Sequence, residues 1–188
     1  MIPQINTVNI EHVTPKISSG RYPIKRVVGD VIEVQADVFT HGHDIVRAVA
    51  QWRRKGEEAW RECEMKPLEN DRWRGEFRCE ENATYEYTVF AWRDAFLSWA
   101  QDTRKKHEAK QDITSDLIEG KKLVLEAQRR AEPADAARLG EILLCFEQTL
   151  GPASAVDRAV SLLAEIGRAA SEHRPVAELL GDTERLIR

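Results

Sequence analysis

The sequence predicts an α+β protein, with an immunoglobulin-like antiparallel β-sandwich over residues 1–104 and a helical bundle over residues 105–188. Three observations predict it. All five Trp, all three Tyr and four of the five Phe precede residue 100. Segments of that first part alternate apolar and polar residues. The remainder is rich in Ala, Leu, Glu and Arg, with apolar residues at helical spacing. Aromatic and β-branched side chains suit a pleated surface, whereas Ala, Leu, Glu and Arg lose little rotamer freedom in a helix.

The strands are justified in order. In VIEVQADVF, Ile32, Val34, Ala36 and Val38 share one face, and Glu33, Gln35 and Asp37 share the other. A strand with one wet face implies an antiparallel sheet. VRAVAQWRR repeats the pattern with Val46, Ala48, Ala50 and Trp52. WRECEMKPL and RWRGEFRCE, separated by Glu69-Asn70-Asp71, read as a hairpin that sets Cys63 near Cys79. TYEYTVFAW follows, with Tyr85, Tyr87, Val89 and Ala91 on one face, and FLSWAQDT reads as a last strand. Short strands at this spacing suggest a sandwich.

The helices follow from a longer period. Ile113, Leu117, Gly120, Val124 and Gln128 mark one face, and Pro133 closes or interrupts that helix. A second is expected from Ala134 to Leu150, a third from Ser154 to Ala170, and a short fourth from Pro175. Apolar stripes of this kind are core packing.

Composition narrows the function. The net charge of −4 gives no electrostatic reason to expect a nucleic-acid partner. No apolar run is long enough to span a bilayer, and the N-terminus lacks a secretory pattern, so no membrane partner and a cytoplasmic location are expected. Cys63, Cys79 and Cys145 show no CxxC spacing, which argues against a disulfide framework or a structural zinc site. No phosphate loop, nucleophile elbow, zincin or EF-hand motif is present, so no catalytic residue, no metal and no cofactor is expected.

Two features are candidates for contact chemistry. Thr40-His41-Gly42-His43-Asp44 gathers metal-ligand residue types, but two histidines fall short of the three or four ligands a zinc site needs. A turn made by Gly42 and Asp44 accounts for the same residues. Among the tryptophans, Trp52 and Trp73 fall on core faces, whereas Trp92 and Trp99 are surface candidates. Exposed rings on a sandwich can stack on sugars, so His43, Asp44, Trp92 and Trp99 are the candidate interface or carbohydrate-contact residues.

Two blocks resemble one family. Residues 20–54 carry Gly20-Arg21-Tyr22-Pro23, Lys25, Val28-Gly29-Asp30, the alternating strand and Gly42-His43-Asp44. Residues 85–120 carry aromatic strands, a Lys-rich segment, Gln111-Asp112 and Glu119-Gly120. Both resemble the N-terminal domains of the bacterial α-1,4-glucan:maltose-1-phosphate maltosyltransferases of glycoside hydrolase family 13, and the resemblance covers most of residues 8–125. It implies a sandwich with an inserted helical bundle, after which the chain returns to the sandwich and enters a catalytic (β/α)₈ barrel. It also implies a cytoplasmic homodimer whose contacts involve these domains. A barrel takes roughly 250 residues, so the catalytic carboxylates are expected outside these residues. The expectation is then a non-catalytic scaffold and dimerisation region whose partners are its own barrel and a second copy. The alternative is an α-1,4-glucan-binding module.

Overall fold

The computed structural model describes residues 8–149. The chain divides into two compact units between Arg93 and Asp94.

The first unit has seven strands: β1 (Val8–Thr14), β2 (Val31–Thr40), β3 (Val46–Arg54), β4 (Arg61–Glu64), β5 (Lys66–Pro67), β6 (Arg72–Arg78) and β7 (Tyr85–Arg93). They form two antiparallel sheets, ordered β1-β2-β6-β5 and β4-β3-β7. The alternation of β2 has its expected consequence: Ile32, Val34, Ala36 and Val38 are buried. They share one core with Trp73 and Phe77 of β6, Ala48 and Ala50 of β3, and Val89 and Ala91 of β7. One face of each sheet thus supplies the core of a sandwich. Burying a Val or Phe side chain is worth roughly 1.5–3 kcal/mol. Trp52 of one sheet stacks on Phe77 of the other at 4.9 Å and 11°. The Trp73 indole donates to the Val38 carbonyl at 3.1 Å, so its one polar atom is satisfied within the core. On the wet face, Arg74 pairs with Glu33 and Arg72 with Asp37, each at 2.8 Å.

The expected hairpin forms only near its tip. β5 pairs with β6, with Pro67 opposite Trp73, and Asn70 and Asp71 take left-handed φ values of 55° and 58° in the turn. β4 instead joins the other sheet, where Cys63 lies opposite Ala50. The switch occurs at Met65, which is 1% exposed. An ideal Cβ on Gly75 would stand 3.0 Å from Met65 Cγ, so the glycine leaves room for the crossing side chain. Cys63 is therefore not opposite Cys79, and all three cysteines are free thiols.

The second unit begins earlier than the composition suggests. FLSWAQDT is not a strand but part of α1 (Ala95–Glu108). The Asp94 carboxylate caps it by accepting from the Leu97 amide at 2.8 Å. Phe96, Trp99, Ala100 and Thr103 follow the i, i+3, i+4, i+7 pattern of a helical face. Aromatic content had outweighed that period. Then come α2 (Thr114–Gln128) and α3 (Pro133–Thr149). Ile113, Leu117 and Val124 are buried as their spacing requires, in a core with Phe96, Trp99, Leu139 and Phe146. The helices expected over 154–170 and from Pro175 lie outside the described residues.

Candidate functional site

The 41–45 loop joins β2 of one sheet to β3 of the other. Gly42 supplies a φ of +101°, a conformation that side chains strain to adopt. His41 and His43 are exposed. The Asp44 carboxylate lies 3.5 Å from the Arg93 guanidinium at the end of β7, so it ties the loop to the strand beside it. Among the described residues, no three His, Cys, Asp or Glu side chains gather into a metal site.

Both candidate tryptophans are buried. Trp92 lies opposite Arg47 in the β7–β3 register. It stands on the sheet face away from Val89 and Ala91, and it is 1% exposed. The Arg47 guanidinium sits 5.5 Å from its ring centre, and Phe90 lies tilted at 5.8 Å. Trp99 is on α1, not on a strand. Its ring contacts Phe96 at 5.3 Å and Phe146 at 5.8 Å, and its indole donates to the Asp116 carbonyl at 2.5 Å. Neither ring is a surface residue, so the surface placement expected from the sequence is corrected. The alternation put Trp92 off the core face correctly, but period alone does not show what covers that face. Stacking on a sugar needs an open ring face, and Trp99 offers none.

Sequence reading missed a large concavity in the sandwich. It is an open cleft of about 1180 Å³ beside β7. Its mixed lining includes Val13, Phe77 and Tyr87 beside Lys25, Arg26 and Glu81. The signal was present in GRYPIKRVV, where apolar and cationic residues mix outside the seven strands, but no periodicity marks a cleft. Burial pushes the Tyr87 phenol above its ordinary range. Burial likewise raises the Cys79 thiol at the cleft and the Cys63 thiol, which disfavours the nucleophilic thiolate form. On the wet face, the Arg72 guanidinium and, more weakly, His12 hold the Asp37 carboxyl below the usual carboxylate range. His12 Nδ1 lies 2.7 Å from Asp37 and Arg72 Nη1 lies 2.8 Å from it. Those groups hold strands together.

The described residues thus form a two-sheet sandwich followed by helices, with ion pairs across the wet face of the sandwich. Comparison with known proteins agrees on the family. Residues 6–187 match the family model described as α-1,4-glucan:maltose-1-phosphate maltosyltransferase, domain N/S, and the chain belongs to that family. It is 41% identical over 181 residues to the maltosyltransferase of that name from Myxococcus xanthus, covering 92% of this chain and 27% of the relative. Against the Chlorobaculum tepidum protein of that name the identity is 42% over 132 residues, covering 70% and 20%. Against the one from Rhodospirillum rubrum it is 32% over 176 residues, covering 88% and 26%. The chain spans about a quarter of the length of these curated relatives.

Proposed function

We propose that this chain is the non-catalytic N-terminal region of a cytoplasmic, α-amylase-family maltosyltransferase. The parent enzyme transfers maltosyl units from α-maltose 1-phosphate to α-1,4-glucan in glycogen-like glucan synthesis. The region's role is scaffolding: it packs on the parent's catalytic barrel and takes part in a homodimer. The observation that carries this reading is the match of residues 6–187 to a domain-N/S model, within relatives of which the chain spans about a quarter. The division into four and three strands supports an immunoglobulin-like sandwich as part of the same proposal.

The test is phosphate release from α-maltose 1-phosphate in the presence of a malto-oligosaccharide. The parent enzyme is expected to release phosphate and the 188-residue chain none; release by the chain alone overturns the non-catalytic role. Sedimentation equilibrium of the parent enzyme tests the dimer separately, and a monomer overturns that part. The rival reading is a glucan-binding module. The burial of Trp92 and Trp99 counts against it. Saturable quenching of tryptophan fluorescence by malto-oligosaccharides would favour it.

A further inference from the structure

The segment between β1 and β2 lies outside both sheets, yet it is firmly held. Arg72 donates to the His12 carbonyl and to the Thr14 hydroxyl, each at 3.1 Å, and the Tyr87 hydroxyl donates to the Pro15 carbonyl. Ile17 bridges to Tyr22. The Val27 amide donates to the Asp30 carboxylate at 2.9 Å, and the Asp30 amide donates back to the Val27 carbonyl at 3.0 Å. The Gly29 amide donates to the Cys79 carbonyl at 2.7 Å, and the Cys79 amide donates to the Asp30 carbonyl at 3.0 Å. The exposure of the segment's side chains is therefore set by the fold.

Those side chains concentrate apolar surface. Ten large apolar side chains are exposed among the described residues, and five of them, Ile17, Tyr22, Val27, Val28 and Val31, fall within this short stretch. Val27 is 71% exposed. Tyr22, Val27 and Val28 border the same cleft. Single exposed apolar residues are ordinary, but a concentration of them rimmed by polar groups marks an interaction site. The charge is equally lopsided. Residues 15–31 hold four cations, Lys16, Arg21, Lys25 and Arg26, and one carboxylate, Asp30, in a chain whose net charge is −4. All four cations are exposed at the cleft, and none makes an ion pair among the described residues. The carboxylates that line the cleft, Glu81 and Glu86, are engaged by Arg54 and Arg53.

A partner for this face therefore offers apolar side chains together with carboxylates. A two-fold contact with a second copy does not meet that need, because it sets the same patch, and so the same four cations, on both sides. The rest of a parent polypeptide does meet it. The chain spans 27% of the length of the Myxococcus xanthus relative, so a parent of similar length carries most of its surface elsewhere. Taking the chain as the N-terminal region of a maltosyltransferase, we propose that residues 16–31 are a docking face for a carboxylate-bearing, partly apolar surface of the same polypeptide, outside these 188 residues. The cations set orientation, and burial of Tyr22, Val27 and Val28 supplies the drive. Because the segment is already held in place, docking orders little backbone.

Two measurements on the parent enzyme test this. In the first, the rate of Lys25 acetylation is followed by peptide mapping in the parent and in the 188-residue chain. Lys25 should react at least about tenfold more slowly in the parent, because a packed interface excludes water and reagent. Equal rates overturn the proposal. In the second, a zero-length carbodiimide joins amines to carboxylates in contact. Mass spectrometry of the single-chain product should find Lys16 or Lys25 joined to an Asp or Glu outside the 188 residues. The absence of such a link overturns the proposal, and links confined to a two-chain product overturn it in favour of a second copy. Phosphate release by the same parent preparation separates the two readings. A parent that releases phosphate but leaves Lys25 as reactive as in the chain defeats the docking face alone, whereas a parent that releases none defeats the maltosyltransferase reading whatever Lys25 does.

Discussion

The Trp99 indole fills the space that a side chain on Gly120 would need. An ideal Cβ on Gly120 would stand 2.1 Å from Trp99 Cζ2 and 2.4 Å from Cε2. The ring cannot retreat easily, because its nitrogen is bonded to the Asp116 carbonyl and its faces meet Phe96 and Phe146. Gly120 therefore sets how closely α2 approaches α1. Gly120→Ala is expected to destabilise the helical unit by roughly 1–3 kcal/mol through overpacking. It does so even though alanine is about 1 kcal/mol better than glycine in a helix interior. Urea unfolding followed by far-UV circular dichroism checks this, and a stabilised variant contradicts it.

Phe77 joins the two sheets. It is 5% exposed and stacks on Trp52 from the opposing sheet. Phe77→Ala should cost about 3–5 kcal/mol, the usual range for deleting a buried ring. The midpoint of thermal unfolding of the sandwich reads the loss.

The pair of Asp37 and Arg72 gives a pH dependence with a defined sign. Arg72 holds the Asp37 carboxyl below its ordinary value of 3.8. A depressed folded-state value means that the ionised carboxylate stabilises the fold above that ordinary value. The contribution is lost as pH falls through the lower, folded-state value. Asp37→Asn should therefore lower stability at neutral pH, and its deficit against the parent should shrink below about pH 3.8. Urea midpoints measured from pH 7 to pH 2.5 decide it, and a deficit constant with pH contradicts the assignment.

The 41–45 loop should respond to its backbone and not to its imidazoles. His41→Ala with His43→Ala is expected to shift stability by no more than about 0.5 kcal/mol, as for most exposed substitutions. Gly42→Ala, at a φ of +101°, should cost about 1 kcal/mol. Zinc calorimetry on the parent chain should show no binding heat, and a saturable heat would restore a metal role to this loop.

The alternation of Ile32 to Val38 was enough to place β2 and its buried face, because a half-buried strand must repeat every two residues. The spacing of Ile113, Leu117 and Val124 placed the inner face of α2 on the same logic. Asp94 was as legible as these, since a carboxylate before an apolar periodic run caps a helix, yet the aromatic weight of FLSWAQDT concealed it. The sheet switch at Met65 had no such local sign. It depends on a glycine at position 75 leaving room on another strand. Burial of Trp92 was equally hidden, because period assigns a side chain to a face and does not say what lies against that face. By itself the sequence determined the fold class and most element positions, which rest on local period and residue type, and its two motif blocks carried the family resemblance. Only the tertiary structure decided that Cys63 faces Ala50, that Trp99 seals a helical core and that an open cleft lies beside β7, because each requires residues far apart in the chain to meet.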